Sequence, residues 1–432
     1  MRISVEKKER NPETIEVISS KSYVHRLLIA AAFSKAPVKI ITNAVSKDME
    51  ATARCLRALG AKIETKALEN RFVFEITQPV HRVEEAILDC GQSGSTARFL
   101  LPVAAVLARK ATITGSGKLP ERPFGPLCEA LRKNGVEIDS DYLPLNVSGE
   151  LIPGEYTLPG DVSSQYITGL MFALSLLNSE SRIVLSSKLE SESYVAMTME
   201  VLNSFGVSVA ENDKGYTISG KSDIIGPKEI YAEADWSNGG FLMCLGALNG
   251  GISLKGLRLP STQGDSSVFD IMSSFGYEVI RTEEQVISVS GESIRGIDID
   301  VSQIPDLVPA LAAVAAFAPG KSVFRNAQRL RIKECDRIEA VSKSLELFGI
   351  KCETEIVDGR ENMYVFGNGH FCLNKEICAD GYDDHRIVMM LAMLSAGSEA
   401  EVIIDGAEAV NKSYPGFFEI CQKIGMKVCD RG

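Results

Sequence analysis

Six stretches of the chain are almost entirely apolar and rich in small residues. Each is 9 to 13 residues long, which suits a helix better than a strand, and the absence of a polar face is typical of a helix buried on all sides. The six stretches are HRLLIAAAF, TARFLLPVAAVLA, QYITGLMFALSLL, NGGFLMCLGALN, VPALAAVAAFA and HRIVMMLAMLSAG. The pattern therefore predicts six buried helices.

A second pattern alternates with the first: an amphipathic helix, a glycine that ends it, and a short strand of alternating polarity. In one copy Ile338, Val341, Leu345 and Phe348 recur at helical spacing before Gly349. The glycines recur at intervals of roughly 70 to 76 residues. They close the segments LRALGAKI, LRKNGVEI, LNSFGVSV, MSSFGYEV, LELFGIKC and CQKIGMKV, at Gly60, Gly135, Gly206, Gly276, Gly349 and Gly425.

These periods predict six units of about four strands and two helices, divided as three plus three. The polar segment AEADWSN (232–238) has a poor helix signal and lies near the expected boundary. A simpler interpretation is that the repeats record only duplication and stacking. The distribution of polar residues favours a further role.

Polar clusters precede all six apolar stretches: SSKSYVHR, DCGQSGSTAR, PGDVSSQY, EADWSNGG, IPDLVP and GYDDHR. Serine and aspartate at a helix start are also ordinary N-caps. Capping does not require a cation, however, and Lys21, Arg26, Arg98 and Arg386 stand beside these caps. The clusters therefore predict anion binding at helix amino ends.

Cations should supply most of that binding. A helix end contributes about 0.3 to 1 kcal/mol, whereas a unit charge at ~4 Å in a partly shielded site contributes about 4 kcal/mol. Arg122, Lys412 and the cations of RLRIKECDR (329–337) add to the set. Unless these side chains are simply solvated, they suit two phosphorylated or carboxylated ligands.

Composition narrows the class of protein. A chain of 432 residues predicts two domains. The net charge of −11 argues against nucleic-acid binding, and ten cysteines without a CxxC pair predict neither zinc nor disulfides. No apolar run reaches about 18 residues, and the segment MRISVEKKER lacks a secretion-signal core, so we expect a cytoplasmic protein with no membrane partner.

Nine short motifs, in order along the whole chain, resemble the 5-enolpyruvylshikimate-3-phosphate synthases, a family of enolpyruvyl transferases. They are SKSYVHR, CGQSGSTAR, ERPF, SSQY, SESY, PD (305–306), KECDR, DDHR and KSYP. The resemblance implies an α/β (α+β) fold of two domains, each with three βαβαββ units around buried parallel helices. It places 1–20 with 235–432 in one domain and 21–234 in the other, with crossovers near 20–21 and 234–235.

The resemblance also implies the reaction and its ligands. The family transfers the enolpyruvyl group of phosphoenolpyruvate to the 5-hydroxyl of shikimate 3-phosphate and releases phosphate. Shikimate 3-phosphate would contact Lys21, Ser22, Arg26, Ser163, Ser164, Gln165, Ser191, Tyr194, Asp306 and Lys333. Phosphoenolpyruvate would contact Lys21, Gly94, Arg122, Gln165, Glu334, Arg337, Arg386 and Lys412.

The chain departs from the family pattern at several positions. Gln92 replaces an asparagine, Ser95 a threonine and Ser193 a proline, and Arg329 stands where some members carry an asparagine. Gln92 and Arg329 therefore receive no role.

Addition followed by elimination needs an acid and a base on opposite sides of the reacting carbon. We assign the hydroxyl proton to Asp306 and the methylene proton to Glu334, each at a predicted helix start, and let Lys21 share in proton transfer. A first-turn glutamate that complements the helix dipole is the simpler interpretation of Glu334. We expect neither a metal nor another cofactor, and we interpret the serines as phosphate donors because no nucleophile triad accompanies them.

Two alternatives have a different function. A UDP-N-acetylglucosamine 1-carboxyvinyltransferase would share the fold, but it requires a cysteine in a mobile loop, and Cys128 falls in a helical pattern. A non-catalytic anion-binding repeat protein would gain nothing from Asp306 and Glu334 among its cations. We expect a monomer, as the family resemblance implies.

Overall fold

The computed structural model describes residues 1–8, 13–220, 223–282, 286–291, 294–369, 376–398 and 400–432. The chain divides into two compact units. Unit 1 contains residues 1–18 and 233–432, and unit 2 contains residues 19–232. The predicted crossovers, near 20–21 and 234–235, fall two residues later than these limits and remain predictions of the domain boundaries.

The strands of the described residues are numbered along the chain. They are β1 (Arg2–Lys7), β2 (Thr14–Glu16), β3 (Val38–Thr42), β4 (Lys62–Leu68), β5 (Arg71–Gln78), β6 (Val83–Asp89), β7 (Ala108–Thr114), β8 (Val136–Ile138), β9 (Leu145–Gly149), β10 (Glu155–Leu158), β11 (Ser181–Leu185), β12 (Val209–Asn212), β13 (Gly215–Ile218), β14 (Glu229–Tyr231), β15 (Ile252–Lys255), β16 (Glu278–Arg281), β17 (Val286–Ser290), β18 (Asp298–Asp300), β19 (Gly320–Arg325), β20 (Lys351–Val357), β21 (Arg360–Gly367), β22 (Glu376–Asp380), β23 (Glu401–Asp405) and β24 (Met426–Asp430).

The α-helices alternate with these strands. They are α1 (Lys21–Phe33), α2 (Lys47–Ala58), α3 (Gly94–Leu107), α4 (Gly125–Arg132), α5 (Ser164–Ser175), α6 (Glu192–Ser204), α7 (Trp236–Leu248), α8 (Val268–Phe275), α9 (Val308–Phe317), α10 (Arg337–Leu347), α11 (His385–Ser398) and α12 (Phe417–Lys423). Short 3-10 helices cover Leu119–Glu121, Gly264–Ser267, Pro305–Leu307, Gln328–Ile332 and Ala407–Lys412.

Within the described part of the chain, the strands form six four-stranded sheets that share one order. In the sheet β6-β7-β9-β8, β6 is parallel to β7, and β9 pairs antiparallel with both β7 and β8. A helix follows each of the first two strands, as the βαβαββ pattern requires. The sheets therefore have the strand content predicted for one unit, while the descent of all six from one duplicated unit stays a prediction.

Two sheets are completed by strands from distant parts of the sequence. β2 lies parallel to β15, although the helix that follows β2 in the chain is α1. β14 lies parallel to β3, although the helix that follows β14 is α7. In addition, β1 lies between β23 and β24 in the last sheet.

Each unit has its own hydrophobic core around three buried helices, and all six predicted buried helices are confirmed. In unit 1, α7, α9 and α11 pack on one another. In unit 2, α1, α3 and α5 meet through aromatic contacts, with ring centres 6.2 Å apart between Phe33 and Phe172 and 6.1 Å apart between Phe99 and Phe172. The small residues of these helices allow such close packing.

The periodic glycines end the second helix of each predicted unit. All six have positive φ, between 73° for Gly349 and 107° for Gly276. Residues with a Cβ rarely adopt this conformation, and glycine is the usual residue there after a helix. The predicted helix ends are therefore confirmed.

The polar break at 232–238 is only partly correct as a prediction. α7 begins at Trp236, and its N-cap Asp235 accepts a hydrogen bond from the Asn238 backbone N. The polar residues are the cap and first turn of a buried helix. Because these residues are polar, the pattern of apolar positions does not predict where the helix begins.

Gly169 makes the close packing of α5 on α3 possible. A Cβ at this position would lie 2.3 Å from the backbone oxygen of Arg98 and 3.2 Å from the Cα of Phe99. We expect Gly169→Ala to lower the free energy of unfolding by about 1–3 kcal/mol because the backbone of α3 must move. Urea unfolding followed by circular dichroism measures the loss.

Gly125→Ala is the matched control. Its Cβ would have an ordinary contact, 3.7 Å from Oδ2 of Asp141, at the start of α4. Equal urea midpoints for the two variants would contradict the close approach at Gly169.

Candidate active site

In unit 2, Lys21 is fixed at the start of α1. The N-cap Ser20 accepts a hydrogen bond from the Tyr23 backbone N, and Lys21 Nζ lies 3.3 Å from Oδ2 of Asp48 in the first turn of α2. Asp48 is buried, so the lysine is held by an acid that sequence analysis did not identify. An anion at this helix end would compete with Asp48 for Lys21.

Arg26 lies one turn further along α1 and is buried. It donates hydrogen bonds to the carbonyl of Ser22 (2.8 Å), the carbonyl of Tyr194 (2.8 Å) and Oγ1 of Thr198 (2.9 Å). Burial lowers the pKa of Arg26 to about 10, which leaves the group charged at neutral pH. Ser22 and Tyr194, both predicted ligands, therefore meet at one buried positive charge.

Gly94, the first residue of α3, lies against two guanidinium groups. A Cβ there would be 2.9 Å from an Nη1 atom of both Arg98 and Arg122. Arg98 also donates to Oε1 of Gln165 (2.9 Å), and Nε2 of Gln165 donates to Oγ of Ser95 (2.9 Å). Two cations beside a helix amino end suit an anionic group. Arg98 was predicted from the sequence as a cation beside this cap, although the family resemblance assigned it to neither substrate.

The remaining predicted residues of unit 2 lie ahead of α5 and α6. Ser163 is the N-cap of α5 and accepts a hydrogen bond from the Gln165 backbone N (3.3 Å), and Ser164 is the buried first residue of that helix. Ser191 precedes α6 with φ 55°, in the left-handed region. Such strain in a residue other than glycine is common at functional sites.

In unit 1, the buried side chain of Arg337 binds three carboxylates. Its Nη1 donates to Oδ1 of Asp306 (2.8 Å), its Nη2 to Oε2 of Glu334 (2.9 Å), and its Nε to Oδ2 of Asp384 (2.7 Å). Only 1% of the Arg337 side chain is exposed. The two predicted catalytic acids are therefore brought together by one guanidinium group.

Asp306 is also surrounded by other predicted ligand residues. Lys333 Nζ lies 3.1 Å from its Oδ1, and Arg386 Nη2 lies 3.6 Å from its Oδ2. Arg386 Nη1 donates to the Asp306 backbone carbonyl at 3.1 Å. The structure thus brings Asp306, Lys333, Arg337 and Arg386 into one cluster.

Lys412 completes this cluster on the side of Glu334. It ends the 3-10 helix Ala407–Lys412, and its Nζ lies 3.8 Å from Oε1 of Glu334. Glu334 is therefore held between Arg337 and Lys412. The distance to Lys412 is that of an ion pair rather than a hydrogen bond.

Asp384 has a structural role that was not predicted from the sequence. This residue is fully buried, contacts Arg337 through both carboxylate oxygens, and accepts the backbone N–H of Arg386 (2.9 Å). Tyr382 and Asp383, just before it, have φ 53° and 51°. Two consecutive left-handed residues indicate that the loop is strained to place Asp384 and Arg386.

One local prediction is wrong. Glu334 was expected in the first turn of a helix, but α10 begins at Arg337, and Asp336 is its N-cap, accepting the Glu339 backbone N–H (3.1 Å). Glu334 lies in the loop ahead of the cap, so interaction with the helix dipole is not its main constraint. Its ion pairs with Arg337 and Lys412 are.

The remaining cations of the stretch RLRIKECDR have other surroundings. Arg331 binds Asp336 (2.7 Å) and Glu361 (2.8 Å) at the surface. Arg329 is half-buried in the 3-10 helix Gln328–Ile332, and Gln92 in unit 2 is exposed. The cations of this stretch therefore divide into two groups. Arg331 forms ion pairs at the surface, whereas Lys333 and Arg337 belong to the cluster of carboxylates.

Electrostatics differ across this cluster. Burial raises the pKa of Asp306, but the adjacent Lys333, Arg386 and Arg337 outweigh it and hold that pKa well below its ordinary value. Burial lowers the pKa of Lys333 to about 8, opposed by Asp306 and reinforced by Arg329 and Arg337. Asp306 is therefore ionised at neutral pH, whereas Lys333 loses its charge at a pH just above neutrality.

Three further findings concern the described residues alone. Across those ranges, no set of three or more His, Cys, Asp or Glu side chains is arranged to hold a metal ion. Among the same residues, no helix is both long and apolar enough to cross a membrane. The cysteines described are free thiols, and Cys372 lies outside the described residues.

We expect Arg337→Lys to lower the free energy of unfolding of unit 1 by about 3 kcal/mol because lysine cannot bind Asp384 in two places and leaves it buried with weaker compensation. The single tryptophan, Trp236, is buried in unit 1 and reports its unfolding by fluorescence in urea.

Arg331→Lys, in the same stretch, is the control. Its ion pairs are at the surface, so the change should be within about 1 kcal/mol. If Arg337→Lys were as stable as this control, Arg337 would not organise the carboxylates.

Comparison with known proteins gives one family. The family model described as EPSP synthase (3-phosphoshikimate 1-carboxyvinyltransferase) matches residues 5–421. A 3-phosphoshikimate 1-carboxyvinyltransferase of Clostridium kluyveri is 38% identical over 96% of this chain and 95% of that protein. One from Clostridium acetobutylicum is 36% identical, with 96% and 95% covered.

Solved structures show the same fold. EPSP synthase from Acinetobacter baumannii has a TM-score of 0.79 at 22% identity, and both chains are covered completely. The enolpyruvyl transferase NikO from Streptomyces tendae has a TM-score of 0.77 at 16% identity, over 99% of this chain and 98% of its own. These likenesses confirm the predicted mixed α/β fold of two domains. With a family match across nearly its whole length and relatives that share more than a third of its residues, the chain belongs to the EPSP synthase (3-phosphoshikimate 1-carboxyvinyltransferase) family.

Proposed function

We propose that this protein transfers the enolpyruvyl group of phosphoenolpyruvate to the 5-hydroxyl of shikimate 3-phosphate and releases phosphate, in the biosynthesis of chorismate and the aromatic amino acids. Membership of the family supports the reaction. The observation in the structure that carries the proposal is that Arg337 holds Asp306 and Glu334 together, among cations that suit phosphate and carboxylate groups.

The reaction proceeds by addition and elimination. A proton is added to the methylene carbon of phosphoenolpyruvate, the 5-hydroxyl oxygen bonds to C2, and the hydroxyl proton leaves to a base. The resulting tetrahedral intermediate then loses a proton from its methyl group as the C2–O bond to phosphate breaks. An acid and a base must therefore act on different atoms of one complex.

The residues assigned to each substrate are those that the family resemblance implies. Shikimate 3-phosphate binds Lys21, Ser22, Arg26, Ser163, Ser164, Gln165, Ser191 and Tyr194 of unit 2 with Asp306 and Lys333 of unit 1. Phosphoenolpyruvate binds Lys21, Gly94, Arg122 and Gln165 of unit 2 with Glu334, Arg337, Arg386 and Lys412 of unit 1. Contacts within each unit support the assignment. Arg26 donates to the carbonyls of Ser22 and Tyr194, Lys333 pairs with Asp306, and Glu334 pairs with Arg337 and Lys412.

Asp306 accepts the hydroxyl proton and Glu334 donates the methylene proton, with Lys21 assisting proton transfer. In the free protein three cations keep the proton affinity of Asp306 low. Phosphate groups that carry about −1.5 to −2 compete for the same cations. Ligand binding therefore weakens their hold on Asp306 and makes it a better base.

The burial of Cys128 argues against the UDP-N-acetylglucosamine enzyme. Cys128 is fully buried within α4, and burial raises the pKa of its thiol to about 12. A reactive cysteine needs an exposed, easily ionised thiol.

The expected cytoplasmic location, monomeric state and lack of nucleic-acid binding remain part of the proposal.

A phosphate-release assay with both substrates, and with each omitted in turn, tests the function. We expect release only with both present. No release with the pair of substrates would contradict the proposal, and so would release from phosphoenolpyruvate alone.

Replacement of Glu334 tests its proton-transfer role. We expect Glu334→Gln to lower kcat by about 10²- to 10⁴-fold, because the amide cannot donate the methylene proton. Glu339→Gln, on the exposed side of α10, is the control and should retain activity. A kcat for Glu334→Gln within a few-fold of the wild type would remove Glu334 from proton transfer.

The pKa of Lys333 predicts an alkaline limit. Because this pKa is about 8 in the free protein, the side chain loses its positive charge as pH rises through 8. We expect kcat/KM for shikimate 3-phosphate to fall by about tenfold between about pH 7 and 9.5, since kcat/KM reports the free enzyme. Arginine stays charged over this range, so Lys333→Arg should not show this fall.

Lys343→Arg, an exposed lysine of α10 paired with Glu339, is the control for this pH profile. It should behave as the wild type does. An unchanged alkaline limit in Lys333→Arg would assign the titration to another group.

A further inference from the structure

Asp265 is a buried carboxylate that the proposed mechanism does not use. It lies in the 3-10 helix Gly264–Ser267 and accepts a short hydrogen bond from the hydroxyl of Ser237. The oxygen of Ser237 in turn accepts a hydrogen bond from Nη2 of Arg386 (3.1 Å). Asp265, Ser237 and Arg386 therefore form a directed chain of hydrogen bonds within unit 1.

The direction of this chain is fixed by its two ends. A guanidinium group can only donate and an ionised carboxylate can only accept. Ser237 must therefore give its proton to Asp265 and offer its oxygen to Arg386. Charge at Asp265 strengthens both bonds because each then has an ionised partner.

The backbone around Ser237 is held in place by the same segment. Gln263 accepts the backbone N–H of Trp236 (3.1 Å) and donates to the carbonyl of Ala234 (2.8 Å). Residues 263 and 265 thus bind both the start of α7 and the hydroxyl of its second residue. Such double support is expected where a side chain must be placed precisely.

We propose that Asp265 is a positioning residue that acts through Ser237 to orient the Arg386 guanidinium group for phosphoenolpyruvate. Asp265 touches neither substrate in the proposed assignment. Arg386 has contacts with Asp306 on one side and Ser237 on the other, so losing the second would let the guanidinium rotate toward Asp306. The inference rests on the proposed function because it uses the assignment of Arg386 to phosphoenolpyruvate.

The surroundings of Asp265 make its charge costly. Ser237 and the N-cap Asp235 face it from the start of α7, Arg386 faces it from α11, and Asp306 faces it from the 3-10 helix Pro305–Leu307. Burial and the charge of Asp306 raise the pKa of Asp265 to about 6, against the attraction of Arg386. Most of the Asp265 population is therefore ionised at pH 7, and most is neutral at pH 5.

This cost gives a test that needs no substrate. Since the folded state holds the Asp265 proton more tightly than the unfolded state, stability falls as pH rises from about 4 to 6, and the full cost remains above pH 6. Asp265→Asn removes the charge and should raise Tm by several degrees at pH 7.5, with a smaller gain at pH 5.5. A variant less stable than the wild type at pH 7.5 would contradict the costly charge.

The kinetic test separates positioning from general support. We expect Asp265→Asn to raise KM for phosphoenolpyruvate about tenfold, with kcat and KM for shikimate 3-phosphate nearly unchanged. The ratio of wild-type to variant kcat/KM should shrink toward one below pH 6, where wild-type Asp265 is neutral too. Taking this ratio cancels the titration of the substrate phosphates themselves.

Variants of Ser237 provide the second line of evidence. Ser237→Ala should raise KM for phosphoenolpyruvate by a similar factor. Ser237→Thr keeps a hydroxyl and should have a KM close to that of the wild type. The double variant Asp265→Asn with Ser237→Ala should have a KM little higher than that of either single variant. Asp270→Asn, an exposed acid of α8, is the control and should match the wild type.

The outcomes are distinguishable. An active wild type whose Asp265→Asn variant keeps the same KM for phosphoenolpyruvate and the same pH profile overturns this inference alone. Additive losses in the double variant also overturn it. A wild type without turnover overturns the proposed function, and the inference with it.

Discussion

A buried positive charge at Arg337 organises the acidic side chains of the candidate site in unit 1. Asp306, Glu334 and Asp384 come from three separate segments of the chain, and this guanidinium group binds all three. Lys333, Arg386 and Lys412 then contact the same carboxylates. Because an unpaired buried charge is costly, each member of the cluster is stable only while the others are in place.

The arginines of the two units are held in different ways, whereas Lys21 of unit 2 is paired with an acid, Asp48. In unit 1 they are paired with acids, so an incoming phosphate must compete with carboxylates for them. In unit 2, Arg26 donates to two carbonyls and a hydroxyl, and Arg98 donates to the amide of Gln165. Neutral acceptors leave most of the positive potential of an arginine available to a ligand. Exchange of anions should therefore matter more at the arginines of unit 1 than at Arg26 and Arg98 of unit 2.

Much of the fold could be predicted from the sequence because buried positions recur at regular intervals along the chain. The six apolar helices and the six glycines with positive φ were identified by pattern alone. The start of α10 was not identified in this way. The motif KECDR contains a loop and a helix cap, and neither has regularly spaced apolar residues. The start of α7 was hidden for the same reason.

The site was predictable where motifs are local, and less so where contacts are distant. Lys333, Glu334 and Arg337 lie in one short motif and do lie together. Asp48, Asp384 and Asp265 were missed because their partners are 27 to 121 residues away in the sequence. A single sequence carries no signal for such distant pairings. The only hint was Asp384, the second acid of the motif DDHR, which had no predicted role.

The pairing of β1 with two strands that are made much later affects the order in which the chain can fold during synthesis. Unit 2 has all its strands once β14 has emerged, since β14 is its last partner for β3. Unit 1 must wait, because β1 pairs with β23 and β24 at the far end of the chain. β1 is made before unit 2 but finds both neighbours only once β24 has been made, and until then its two edges remain open to other chains. Unit 2 can therefore fold during synthesis while β1, which precedes it in the sequence, still lacks both of its partners.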